Sequence, residues 1–255
     1  MANSNGYKID IYKISSELVS LAQIRNLVQI SSFTSAHQYI PLYKLVDKYV
    51  PKGLRVLDWG TGIGHFSYFL CRSGYKTVGF SMEDYSFKDW LENYQYRFVK
   101  GNKIEPINLP FNNNFFDSVV SMGVLEHVRE FGGNEIGSMK EIFRILKPGG
   151  IFVCFHLPNH YSLIEYLGKL LTRKFHHNYR FKEEQIKKLN IKTGFKMIEI
   201  KRYGFLPRNS FGRLPKILRY SKHLAHIWDK LDIILGYAFS YFCQNYYFIV
   251  YKPKS

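Results

Sequence analysis

From residue 55 onward the chain alternates short apolar runs with stretches of helical period. Arg55-Val56-Leu57-Asp58-Trp59 reads as a strand, followed by a glycine-rich turn, Gly60 to Gly64. A helix carrying Phe66, Phe69 and Leu70 on one face then stops at Gly74. Further strands are expected at Lys76–Phe80, Tyr96–Val99, Ser118–Met122 and Ile151–His156. Between the last two, Met139, Ile142, Phe143 and Leu146 recur at helical spacing until Lys147-Pro148-Gly149-Gly150. Past His156 the pattern loosens to a helix at Lys182–Lys192, a strand at Lys196–Lys201 and a last aromatic strand, Tyr246 to Tyr251. Parallel strands separated by helices pair through right-handed crossovers, so the expected fold is α/β, an open sheet covered by helices on both faces. Three regions stand outside this alternation: 1–50, 157–181 and 203–245.

The segment Leu231 to Val250 is long enough to span a bilayer. Asp232 and Gln244-Asn245 interrupt it, which splits it into an apolar helix and the final strand. The polar start, Met1 to Gly6, carries no basic-then-apolar leader pattern, so secretion is not expected. Cys71, Cys154 and Cys243 are scattered without a paired spacing, which suits a reducing cytoplasm and argues against a disulfide framework.

The net charge of +16 over 255 residues is uneven. Residues 165–255 carry 19 Lys/Arg against 6 Asp/Glu, while residues 51–164 carry 12 against 11. The excess belongs to the last third and suits a solvated basic face, nucleic acid or an anionic membrane. Between Leu214 and Trp228, apolar positions Leu214, Ile217, Leu218, Leu224 and Ala225 trace one helical stripe, with Lys216, Arg219 and Lys222 off it. Such a helix is expected to pack on its own core or to dock on anionic headgroups.

The chemistry concentrates in Asp58-Trp59-Gly60-Thr61-Gly62-Ile63-Gly64. Glycine lets a backbone turn tightly and approach a ligand without a Cβ in the way. A dinucleotide fingerprint would read GxGxxG. Here an acid precedes GxGxG, and a carboxylate at a strand end suits a cationic ligand rather than a pyrophosphate.

This stretch resembles motif I of the class I S-adenosylmethionine-dependent methyltransferases. Leu109-Pro110-Phe111 with Phe116-Asp117, then Ser121-Met122-Gly123-Val124-Leu125-Glu126-His127-Val128, resemble that family's fourth-strand signature. Arg144 to Gly150 resembles its fifth-strand lead-in. The ordered set runs from about Arg55 to Asn159, and its style is that of the branch modifying quinones, sugars and lipids (methyltransferase type 11-like). The resemblance implies a Rossmann-like, mostly parallel seven-stranded sheet in a single domain, 1–255. Within it, 1–50 would be a helical cap, 51–160 the cofactor half, and 161–255 the substrate half with an insertion at 203–245. It implies S-adenosylmethionine as cofactor, held by Asp58, Gly60, Thr61, Gly62, Gly64, Ser81, Met82, Asn102, Met122 and His127.

Two positions depart from the family pattern. The second strand ends at Ser81 rather than an acid, so the ribose meets one hydroxyl, with Glu83 or Asp84 as candidates from the next helix. After the third strand, Gly101-Asn102 replaces Gly-Asp, so an amide faces the adenine.

Methyl transfer from a sulfonium needs the acceptor positioned and, where necessary, deprotonated. Imidazoles titrate near neutrality. His156, at the fifth strand's end, is the candidate base, and His127 is a cofactor-pocket or structural residue. His160, His176 and His177, with Tyr161, Tyr166 and Tyr179, fall in the inserted segment and are candidates for substrate contact. His156 and His160 lack further ligands nearby, so no metal site is expected.

The expected function is methyl transfer, on oxygen, to a small-molecule or lipid- or glycan-linked acceptor. An RNA methyltransferase and a non-catalytic methyltransferase-fold subunit are the rivals. No Pro-Pro follows strand four, which argues against base-amine chemistry. The expected location is the cytoplasm, with peripheral membrane contact.

Overall fold

The computed structural model describes residues 10–25, 27–84, 88–171 and 177–254. His176 and the polar residues 1–6 lie outside them. Three helices come first: α1 (Ile11–Arg25), α2 (Phe33–His37) and α3 (Ile40–Tyr49). The alternating part follows as β1 (Arg55–Trp59), α4 (His65–Arg72), β2 (Lys76–Ser81), α5 (Lys88–Leu91), β3 (Tyr96–Lys100), β4 (Phe116–Met122), α6 (Glu135–Ile145) and β5 (Leu146–Pro158). The chain ends with α7 (Leu163–Leu171), α8 (Glu183–Lys192), β6 (Lys196–Tyr203), α9 (Lys216–Arg219), α10 (Lys222–Ala238) and β7 (Asn245–Tyr251).

One seven-stranded sheet has the order β3-β2-β1-β4-β5-β7-β6. Strands β1 to β5 are parallel, and β7 runs antiparallel between β5 and β6. The strand order reverses between β1 and β4, where open α/β sheets bind ligands at the carboxyl ends of their strands. The core has two layers. Helices α1 to α4 bury Leu18, Leu42, Val46, Phe66 and Phe69 against Val120, Val153 and Phe155 on one face of the sheet. On the other, Met139, Ile142 and Ile145 of α6 and Ile186 of α8 meet Leu57, Val119, Phe152 and Phe248.

Strand β5 is longer at both ends than its apolar run suggested, because β7 pairs along it as far as Pro158–Asn245. The single stripe expected from Leu214 to Trp228 is broken. Helix α9 ends at Arg219, and Ser221 caps a new helix, its side chain accepting from Leu224 N–H at 3.1 Å. The new helix extends well past Trp228, to Ala238. Among the described residues no helix is long and apolar enough to cross a membrane.

Candidate cofactor and acceptor site

The glycine turn wraps the end of β2. The N–H groups of Gly60 and Thr61 both donate to the Phe80 carbonyl, at 2.8 and 3.0 Å, and Gly64 N–H donates to Thr61 O. Gly60, Gly62 and Gly64 all have positive φ (82°, 54° and 93°), which side chains with a Cβ adopt only with strain. Their surroundings differ. A Cβ on Gly60 would come within 2.1 Å of Val124 Cγ2, so this glycine admits the loop after β4. A Cβ on Gly62 would meet nothing nearer than 3.9 Å, so no side chain crowds its backbone.

Asp58 lies beneath the turn. Its side chain is 1% exposed, and one carboxylate oxygen accepts from Ser67 Oγ of α4 at 2.6 Å. Burial pushes its carboxyl up to about 7, with Ser67 pulling the other way. A nearby cation would favour the ionised form, so a cationic ligand and this residue suit each other. Asp58 also ties β1 to α4, a role its place before the glycines did not reveal.

The other expected cofactor contacts cluster along the same strand ends. Ser81 closes β2, and its hydroxyl accepts from Glu83 N–H at 3.3 Å. Met82 abuts Gly101, where a Cβ would come within 2.6 Å of its sulfur. Met122 is half-buried at the end of β4, against the core layer under α1 to α4. Thr61 is buried in the turn. Asn102 also builds the turn after β3, its Oδ1 accepting from Ile104 N–H at 2.9 Å. Glu83 and Asp84, the candidates for replacing the missing ribose acid, pair with Lys103 and Lys100 at the exposed surface. His127 is half-exposed, its Nδ1 2.9 Å from Glu130.

His156 is distinctive. It has φ +56°, a left-handed conformation that non-glycine residues hold only when the surroundings demand it. Tyr203 of β6 fixes it twice: Tyr203 Oη accepts from His156 N–H at 2.9 Å and lies 3.0 Å from Nδ1. Nε2 is buried and has no partner. Burial depresses this imidazole to about 4, with His177 adding to the effect, so the ring is neutral at physiological pH. A cavity of about 60 Å³ adjoins it, lined in part by Tyr203, Leu206 and Gln244.

Sequence reasoning missed two neighbours. His65, the first residue of α4, is buried with both ring nitrogens unpartnered, and burial takes it down to about 3. Tyr39, between α2 and α3, lies tilted against His65 with ring centroids 4.5 Å apart and edge-on to His156 at 5.5 Å. The position of His65 directly after the glycine turn was the available signal. Nothing in the sequence placed Tyr39 there. Of the inserted-segment candidates, His160 is exposed, Tyr161 stacks on Tyr241 at 4.4 Å, and Tyr179 lies beneath the Arg129 guanidinium.

The fold, the strand order and the glycine turn define a class I methyltransferase-type domain. Residues 57–154 match the family model described as a methyltransferase domain. The chain is 32% identical over 112 residues to a sterol 24-C-methyltransferase of Gibberella zeae, covering 40% of this chain and 27% of that protein. A second, from Schizosaccharomyces pombe, is 32% identical over 125 residues, 46% of this chain and 30% of the relative. The chain therefore matches about a third or less of these relatives' length. Among solved structures, phosphoethanolamine N-methyltransferase 2 of Haemonchus contortus superposes with a TM-score of 0.58 at 19% identity, over 96% of this chain and 60% of that one. The [4+2]-cyclase SpnF gives 0.58 at 18%, over 84% and 82%. At these identities the structural likeness speaks for the fold alone.

Proposed function

We propose that this protein is an S-adenosylmethionine-dependent methyltransferase acting on an oxygen of a small, lipid-type acceptor. The observation that carries this reading is the pairing of a ligand-ready glycine turn with a neutral histidine whose Nε2 is buried and uncommitted. When bound, the cofactor supplies a methyl group already activated on sulfur. The protein supplies the rest. Gly62 offers open backbone, Met82 and Met122 offer soft apolar surface for an adenine ring, and Asp58 offers negative charge beneath the turn. If the Nδ1–H of His156 donates to Tyr203 Oη, Nε2 keeps the lone pair that takes the acceptor proton; this tautomer is an assignment.

A lipid-type acceptor is supported by the relatives, which are sterol methyltransferases by name, and by the surface of α10. Ile227, Leu231, Ile234 and Tyr237 follow one another along the outer face of this helix and are exposed, Ile234 by 63% and Tyr237 by 90%. Its two acids face inward. Asp232 accepts from the N–H groups of Phe205 and Leu206 and pairs with Arg208, while Asp229 pairs with Arg208 and His37. The outer face is thus apolar and carries neither acid of α10, and Lys230 lies on the same helix, which suits an anionic bilayer surface.

Incubating the protein with methyl-labelled cofactor and fractionated cellular lipids tests the function. Label in an ether or ester of a lipid acceptor supports it. Label on carbon replaces the oxygen assignment, label in RNA favours the nucleic-acid rival, and absence of transfer despite cofactor binding favours a non-catalytic subunit. For docking, cosedimentation with vesicles containing anionic lipid should be strong at low salt and fall as salt rises. Equal binding to neutral vesicles, or none, would remove the membrane from the account.

A further inference from the structure

We propose that Glu126, His127 and His177 form a binding site for a divalent transition-metal ion, with Zn²⁺ the ion their donors suit best. One ligand atom from each of the three lies within 4.8 Å of the others. Two imidazole nitrogens and one carboxylate oxygen make up the set used by zinc sites that keep a fourth position open.

Three observations make the cluster more than chance proximity. First, Glu126 is 3% exposed and its Oε2 has no hydrogen-bond partner. A buried carboxylate oxygen without a donor is costly unless something cationic reaches it. Second, each histidine has its other nitrogen engaged by an acid. His127 Nδ1 lies 2.9 Å from Glu130 Oε1 and His177 Nδ1 lies 2.8 Å from Glu165 Oε1. Glu165 also accepts from the backbone N–H of His177 at 3.1 Å. Carboxylates on the outer nitrogens of metal-ligating histidines fix the tautomer that leaves Nε2 free and raise ligand basicity. Third, the spacing is close to what an ion needs. His127 Nε2 lies 4.0 Å from Glu126 Oε1, and the two imidazole centroids are 6.0 Å apart. Tetrahedral ligands about 2.0–2.1 Å from zinc sit roughly 3.3 Å from one another, so movements of about 1 Å or less in two part-exposed rings close the site.

The location gives the ion a use. A Cβ on Gly123 would lie 3.6 Å from Glu126 Oε1 and 4.0 Å from His156 Cβ, so the cluster adjoins the end of β4 and the candidate base. A fourth coordination position there could hold an acceptor oxygen and ease loss of its proton. This use rests on the methyl-transfer reading; the site itself does not.

The test reads metal alone, so its failure is distinct from failure of that reading. Metal-stripped full-length protein is titrated with Zn²⁺ by calorimetry, and the Co²⁺ form is read by its visible absorption. One ion per chain is expected, with affinity reduced at least tenfold in Glu126→Gln and His177→Ala, and about 10–100-fold in Glu165→Gln. His226→Ala should leave binding unchanged, since His37, His226 and Asp229 form the other candidate cluster among the described residues. Far-UV circular dichroism identifies variants that fail to fold; if Glu126→Gln is one of them, His177→Ala decides. No stoichiometric binding, binding that survives in folded Glu126→Gln and His177→Ala, or binding that follows His226 would each overturn the site.

Discussion

The carboxyl ends of β1, β4 and β5 and the outer face of α10 break the ordinary rule of burial in opposite directions. At the strand ends, polar groups are buried without partners: both nitrogens of His65, Nε2 of His156 and Oε2 of Glu126. On α10, apolar groups stand in water, while its two acids are turned inward, both paired with Arg208 and Asp229 also in contact with His37. Each arrangement costs free energy in the isolated chain. The difference supports the proposal that the first region receives a small polar ligand and the second an extended apolar surface.

The comparison can be broken most forcefully at His156. His156→Ala should lower kcat about 10²–10⁴-fold if the ring takes the acceptor proton, with cofactor affinity little changed. A loss of only a few-fold would move it from chemistry to packing. Arg208→Ala is the matching test on the other region. It takes the guanidinium from two largely buried carboxylates, leaving Asp232 its two backbone N–H donors and Asp229 its contact with His37, and should destabilise the fold by about 3–5 kcal/mol in denaturant titrations. Ile234→Ser should instead fall within about 0.5 kcal/mol, because the side chain is already in water, yet it should weaken vesicle binding. A large stability loss there would mean that the face is covered by this chain.

A pH-dependent effect is expected from Glu199, which ties β6 to β7 and α3. Burial pushes its carboxyl up, but hydrogen bonds from Tyr49, Lys201 and Tyr247 outweigh that and bring it to about 2. A folded-state value below the unfolded one means that its stabilisation is present above about pH 4.5 and is lost as pH falls toward 2. Glu199→Gln should therefore be less stable than the wild type at neutral pH, and the gap should narrow on acidification. A gap independent of pH would contradict the assignment.

The contrast between regions also explains what the sequence disclosed. The succession of strands and helices and the glycine turn are legible because they follow from local period and spacing: Asp58 to Gly64 lie within seven residues. The partners of His156 are not, since Tyr203 reaches it only through the β5–β7–β6 pairing, 47 residues away. The expectation of no metal site failed to weigh Glu126 with His177 for the same reason; looking along the chain beside His156 finds only His160. In the last third the apolar stripe was visible, but reading it as one helix missed the break at Ser221. It also could not tell that Asp229 and Asp232 face Arg208, because that depends on how α10 meets the loop after β6.

The central claim is that the turn at Gly60–Gly64 holds the cofactor, and isothermal titration with S-adenosylhomocysteine tests it most directly. The wild type should bind one equivalent. Gly62→Val should fold and lose most of its affinity, since φ of +54° and a branched side chain both oppose the backbone's approach to a ligand. Equal affinity in the two proteins would contradict the account.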